Sequence, residues 1–161
     1  MGMEIERKFC IDGFPDLPIL EEAEMEQGYI SCDPTVRIRS KRTQTGVSYK
    51  LCFKGEGTLA RQEIELPLEE TVFCQLQGLL TAPMIRKTYK VFALPDGHRL
   101  EVSRVDEGLP SSFWYAEVEF ESVEEATAFV PPGCLGEDVT ENPAFGMSYY
   151  WRHRGDGAPQ A

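Results

Sequence analysis

The feature that most constrains this chain is a pair of like charges spaced by two, recurring along its length with one apolar residue between the members. Glu4-Ile5-Glu6 opens the series, and Arg37-Ile38-Arg39, Glu63-Ile64-Glu65 and Glu117-Val118-Glu119 continue it. Lys50 and Lys54 share one parity in Tyr49-Lys50-Leu51-Cys52-Phe53-Lys54. In an extended strand alternate side chains point to opposite faces. Each of these segments therefore has a charged face and an apolar face. Any single pair, such as Glu63 and Glu65, reads most simply as a solvated surface with cross-strand ion pairs. The set does not, because a solvated face gives no reason for doubling one sign again and again.

The segments fall into a plain order. Strands are expected over 3–9, 35–41, 47–54, 61–66, 85–94, 99–105 and 114–121, with turns at Gln44-Thr45-Gly46, Gly55-Glu56-Gly57 and Pro95-Asp96-Gly97. Residues 19–25 form a short helix or an irregular strand leading into Gln27-Gly28-Tyr29-Ile30. Apolar residues at Val72, Phe73, Leu76, Leu79 and Leu80 have helical spacing, which predicts a helix within 68–80. Ser122 and Glu125 form a capping-box pattern for a second helix running to Val130. The tail from Asn142 is expected to be a helix or hook on the body, and 155–161 a disordered end, leaving one domain over 1–154.

About eight hairpin-connected strands fit either a sandwich or a closed barrel. A sandwich turns its apolar face inward. Here the charged face mixes both signs at close spacing, while the apolar set (Ile5, Phe9, Val36, Ile38, Leu51, Phe53, Ile64, Leu66, Val118, Phe120) needs cover. A closed eight-stranded antiparallel β-barrel with a charged lumen and short helices packed outside accounts for both sets, a mainly β, α+β fold.

Composition narrows the function. A net charge of −11 argues against a nucleic-acid partner or an anionic membrane engaged by the general surface. Five scattered cysteines without a C-x-x-C pair suggest free thiols in a reducing cytoplasm, with neither disulfides nor a zinc site. No signal-peptide core and no apolar run of ~20 residues is present.

On the inner face the acids are Glu4, Glu6, Glu63, Glu65, Glu101, Glu117 and Glu119; the bases are Lys8, Arg37, Arg39, Lys50, Lys54 and Lys87. Crowded carboxylates raise one another's pKa unless a cation sits among them. An oxygen-only donor set suits Mg²⁺ or Mn²⁺. Arginine forks and lysine point charges opposite suit a phosphate chain. Together they predict a polyphosphate bound with its metal. Arg7 and Arg61 are expected outside or at the rim, and His98 and His153 as solvated surface. Cys52 is expected as a small wall residue, and Trp114 and Trp151 as packing.

The residues also resemble a known family. Glu4-Ile5-Glu6-Arg7-Lys8 is similar to the E-x-E-x-K signature of the CYTH superfamily, the triphosphate tunnel metalloenzymes. Gln27-Gly28-Tyr29, Arg37-x-Arg39, Lys54, Arg61-Gln62-Glu63-x-Glu65, Leu94-Pro95-Asp96-Gly97, Ala116-Glu117-Val118-Glu119-Phe120 and Gly136-Glu137-Asp138-Val139-Thr140 follow in the order the family has them. The length resembles that of small bacterial inorganic triphosphatases. The resemblance implies an eight-stranded antiparallel tunnel and hydrolysis of inorganic tripolyphosphate or a nucleoside triphosphate, releasing orthophosphate. It implies metal ligands at Glu4, Glu6, Glu117 and Glu119, with Glu63 and Glu65 nearby in the acidic set. Lys8, Arg37, Arg39, Lys54 and Lys87 hold phosphate, Lys50 shares their face, and Lys8 and Tyr29 match a catalytic pair. Lys87-Thr88-Tyr89 departs from the family's Lys-x-Arg, Ser103 stands where relatives often have an acid, and Phe145-Gly146-Met147-Ser148 replaces a basic segment. The alternatives are a CYTH-type adenylate cyclase and a non-catalytic polyphosphate or organic-phosphate binder.

Overall fold

A computed structural model describes residues 2–161. Eight antiparallel strands close into a barrel in the order β1-β5-β4-β3-β2-β6-β7-β8. They are β1 (Met3–Phe9), β2 (Ile19–Cys32), β3 (Thr35–Thr43), β4 (Gly46–Lys54), β5 (Ala60–Leu68), β6 (Ile85–Ala93), β7 (Arg99–Val105) and β8 (Phe113–Glu119). Segment 19–25, open between helix and strand, is part of the 14-residue β2, which is long enough to pair with β3 on one side and β6 on the other. Strand β1 closes the barrel by dividing its length. Met3–Ile5 pair with β5, and Glu6–Phe9 pair with β8.

Three helices complete the fold: α1 (Glu70–Gln77), α2 (Val123–Ala128) and α3 (Met147–His153). The Ser122 hydroxyl accepts from the Glu125 amide at 3.0 Å and caps α2, as its sequence pattern predicts. Helix α2 lies outside the wall of β1, β6, β7 and β8, and buries Phe9, Phe92, Leu100, Val102, Val118 and Phe120 with its own Ala126. Helix α1 covers little: Phe73 packs on Tyr49 with ring centroids 4.8 Å apart. Phe53, Ile64 and Leu66 on the outer face of β4 and β5 therefore stay exposed, although the sequence pattern called for cover there. An eight-residue helix is only ~12 Å long and does not span them.

The C-terminal segment has a larger role than a hook on the body. A 3-10 turn at Pro143–Phe145 and helix α3 insert Phe145, Met147, Tyr150 and Trp151 against Tyr29, Ile85, Val105, Phe113 and Tyr115. Those five strand residues have lumen parity, so α3 stops one end of the barrel with an apolar plug. Beyond it, Arg154–Asp156 form a 3-10 turn, and Asn142 donates to the Gln160 carbonyl at 3.2 Å.

Candidate active site

The pleat brings the inner-face residues together around a cavity of about 200 Å³. Strand β1 contributes Glu4, Glu6 and Lys8, β2 Tyr29, and β3 Arg37 and Arg39. Lys50 and Lys54 come from β4, Glu63 and Glu65 from β5, Lys87 from β6, Glu101 from β7, and Glu117 and Glu119 from β8. Lys50, Glu65 and Glu119 are exposed at the open end. Gly146, Met147 and Ser148 of the plug line the other.

Deep in the cavity the cations are only partly matched by anions. Arg37 is 4% exposed, and its Nε has no hydrogen-bond partner. Arg39 spends Nε and Nη2 on the neutral Gln27 Oε1, at 3.1 and 2.9 Å. Lys87, 3% exposed, donates to the Tyr115 hydroxyl. Burial, reinforced by the neighbouring Arg39, pushes the Lys87 ammonium well below its ordinary pKa. A buried guanidinium with an orphaned donor is a group waiting for an acceptor.

The carboxylates divide. Burial opposes ionisation of Glu4, but Lys54 at 3.1 Å and Arg61 at 3.1 Å hold its carboxyl below the usual value. Lys54 also meets Glu63 at 3.5 Å, and Glu65 meets Arg37 at 3.6 Å and Lys50 at 3.7 Å. Glu6, 8% exposed, has no basic partner among the described residues; burial and the adjoining Glu117 drive its pKa well up. Glu117 is half-buried; its desolvation opposes ionisation, yet Lys8 at 3.8 Å and the hydrogen bond shared with Glu6 hold its pKa far down. One proton thus suffices for the Glu6–Glu117 pair. Burial and the charges of Glu117 and Glu4 raise Glu119. Burial, then the charges of Glu119 and Glu117, lift Glu101 to about 8.

Oxygens of Glu4, Glu6 and Glu119 lie within 4.8 Å of one another. The donors are all hard oxygen, and burial together with neighbouring carboxylates makes two of the three carboxyls easier to protonate than normal. Both facts fit a hard divalent ion. A second group within the same distance is Cys52, Glu63 and Glu65, but its two carboxylates already face Lys54, Arg37 and Lys50. Cys52 is a fully buried wall residue whose thiol points to Glu63 at 3.8 Å.

Lys8 and Tyr29 line the same cavity without sharing a hydrogen bond. Lys8 Nζ donates to the Phe145 carbonyl at 2.9 Å, and the Tyr29 hydroxyl accepts from Gln27 at 3.2 Å.

Two expectations need correction. Arg61 is not an exterior or rim residue: it lines the cavity and grips Glu4. Its parity is that of Glu63 and Glu65, so the pleat itself carries it inward. His98 is not solvated surface. Its ring lies 2.8 Å from Asp96 and 2.6 Å from Glu125, and stacks edgewise on Phe120 and Phe129. The turn before β7 and the N-terminus of α2 meet there, a contact no local pattern announces. Arg7 does stay outside, where it meets Asp138 at 2.9 Å. Trp114 and Trp151 pack, against Phe14 and Tyr29. Gln27 and Tyr115 were overlooked, although the parity of Tyr29 and Glu117 points to them.

The chain is 39% identical over 142 residues to an inorganic triphosphatase of Nitrosomonas europaea, covering 88% of this chain and 92% of that protein. An inorganic triphosphatase of Acetivibrio thermocellus is 30% identical over 147 residues, 90% of each. The crystal structure of an inorganic triphosphatase superposes with a TM-score of 0.64 at 32% identity, covering 92% of this chain and 94% of that one. No family model matches the chain.

Proposed function

The chain belongs to the inorganic triphosphatases of the CYTH superfamily, and from that membership we propose that its barrel hydrolyses a triphosphate with the help of Mg²⁺ or Mn²⁺. The observation that carries the reading is the sorting of charge inside one cavity. Half-buried Arg39 and buried Lys87 are cations bonded to neutral groups, and buried Arg37, though 3.6 Å from Glu65, keeps an Nε without a partner among the described residues. Among the described residues Glu6 and Glu119 have no lysine or arginine within 4.0 Å, and burial and neighbouring carboxylates raise both. A phosphate chain with its metal answers both deficits at once.

Arg37 Nε and the guanidinium of Arg39 donate to phosphate oxygens, and Lys87 and Lys54 add charge beside them. Glu4, Glu6 and Glu119, with Glu117 adjoining, are the residues that hold the cation. Bound there, a hard divalent ion neutralises phosphate charge and makes a water easier to deprotonate. The remainder is positioning, which is most of what phosphoryl transfer asks of a protein. A bond forms between the water oxygen and the terminal phosphorus as the bridging P–O bond breaks. Orthophosphate leaves on one side and the shortened phosphate chain on the other. The proton the water gives up leaves through the open end of the cavity to bulk water, where Lys50, Glu65 and Glu119 are exposed. Lys8, 3.8 Å from Glu117, keeps that carboxylate ionised beside the cation-holding set.

Incubation with tripolyphosphate and with ATP, each with Mg²⁺, Mn²⁺ or excess EDTA, is the test. Phosphate release that stops in EDTA is expected. Cyclic AMP with pyrophosphate would mark a cyclase instead, and tight binding without turnover a binding module.

A further inference from the structure

Glu101 differs from the other inner carboxylates in what holds it. Glu4, Glu63, Glu65 and Glu117 each have a lysine or arginine within 4.0 Å. Among the described residues Glu6, Glu101 and Glu119 have none. Glu6 and Glu119 are already in the group whose oxygens converge. Glu101 stands on β7 directly opposite Glu117 in register, on the same inner face. Its position is set by a neutral donor: the Tyr89 hydroxyl donates to Oε1 at 2.5 Å. Oε2 accepts no hydrogen bond from a described residue. The phenol therefore fixes the carboxyl group through one oxygen, brings no positive charge beside it, and leaves Oε2 without a donor among the described residues. A lysine or arginine at 89 would have neutralised it.

We propose that Glu101 is a further carboxylate of the cation site, and that Tyr89 is the positioning residue that aims it there. This rests on the metal-dependent reading above. It extends the acidic set from β1 and β8 to β7, so that ligands come from three neighbouring strands of the ladder β1-β8-β7. Ser103, the direct partner of Tyr89 across the β6–β7 ladder, is neutral and leaves Tyr89 free to reach Glu101.

The test is Mn²⁺ affinity of the full chain without substrate, read from the electron paramagnetic resonance of free Mn²⁺. Glu101→Gln is expected to weaken Mn²⁺ roughly tenfold or more, and Tyr89→Phe by a smaller factor, in line with the ~10–100-fold effects of residues that orient metal ligands. In a double-mutant cycle Tyr89→Phe adds nothing once Glu101→Gln is present, because the phenol acts through that carboxylate. Thermal unfolding in EDTA checks that each variant is folded; should Glu101→Gln fail to fold, Tyr89→Phe and Glu101→Asp carry the measurement. Wild-type Mn²⁺ affinity in the folded Glu101→Gln chain, or in Tyr89→Phe and Glu101→Asp together, overturns the assignment and leaves the metalloenzyme reading standing. A wild-type chain that binds no Mn²⁺ overturns both.

Discussion

Glu4 and Glu119 carry the same formal charge in opposite electrostatic situations. The Glu4 side chain is 8% exposed and gripped by Lys54 and Arg61. Removing it leaves two cations facing each other, and breaking one side of a buried pair costs about 3 kcal/mol. Glu119 is exposed, has no lysine or arginine within 4.0 Å among the described residues, and feels Glu117 and Glu4. Glu4→Gln should therefore lower the melting temperature in EDTA, whereas Glu119→Gln should leave it unchanged or raise it, with turnover lost in both. A stabilised Glu4→Gln would show that its ion pairs contribute nothing. The pH dependence follows from Glu101. Its carboxyl titrates at about 8 in the folded chain against an ordinary 4.5. Between those values the folded chain binds more protons than the unfolded one, so stability falls as pH rises, by up to about 1.4 kcal/mol per pH unit for one group. Glu6, Glu63, Glu119 and His98, also raised, act in the same direction, and the lowered Lys87 ammonium opposes them. Urea midpoints in EDTA should be lower at pH 8 than at pH 5.5, and Glu101→Gln should flatten the slope; midpoints that climb with pH would contradict the burial of these carboxyls.

Among the elements, α3 depends on one residue outside it. Asp106 sits in the turn after β7 at φ 48, in the left-handed region that Asn and Asp tolerate better than other side chains. It is 4% exposed and accepts from the Tyr150 hydroxyl at 2.7 Å, Arg154 Nε at 3.0 Å and the Arg86 amide at 2.9 Å. Asp106→Ala loses the acceptor and adds backbone strain, together about 3 kcal/mol. Asp106→Asn keeps an acceptor and the tolerated backbone and should cost about half. Urea unfolding ranks them, and equal losses would show that charge, not the left-handed turn, is what matters. Strand pairing also joins two departures from the family pattern. Tyr89 and Ser103, read separately in the sequence, are direct partners across β6 and β7. Losing an arginine and an acid at facing positions removes one charge of each sign and leaves the total unchanged.

At the scale of the molecule, the cavity is lined by seven carboxylates and seven cations. The net charge of −11 therefore belongs to residues outside it. A neutral but sorted cavity receives a polyanion or a dication alone with an uncompensated charge, and the two together with little. A ligand that binds only the folded chain raises its stability by RT ln(1 + L/Kd), with L the free ligand concentration. Mg²⁺ and tripolyphosphate added together, followed by thermal unfolding before turnover depletes the substrate, should raise the melting temperature by more than the sum of their separate shifts. Strict additivity would mean that the two ligands do not share the cavity.

The sequence by itself determined which side chains share the inner face. The side-chain period of a strand is two whatever its neighbours are, and doubled like charges declare which face must be satisfied from within. Glu4, Arg37, Lys54, Glu63 and Glu117 were legible for that reason, and Arg61, Gln27 and Tyr115 were legible by the same rule had it been carried through. Tertiary structure alone decided who meets whom. Glu4 meets Arg61 and Lys54, Glu101 faces Glu117, and His98 reaches Glu125 only because closure sets β1 between β5 and β8 and brings α2 to the turn before β7. The plug was equally hidden. Phe145, Met147, Tyr150 and Trp151 look like any apolar helix face, and what they cover depends on where a barrel of eight strands happens to end. Periodicity is local and is written in the chain, whereas partnership between distant strands is a property of the closed sheet.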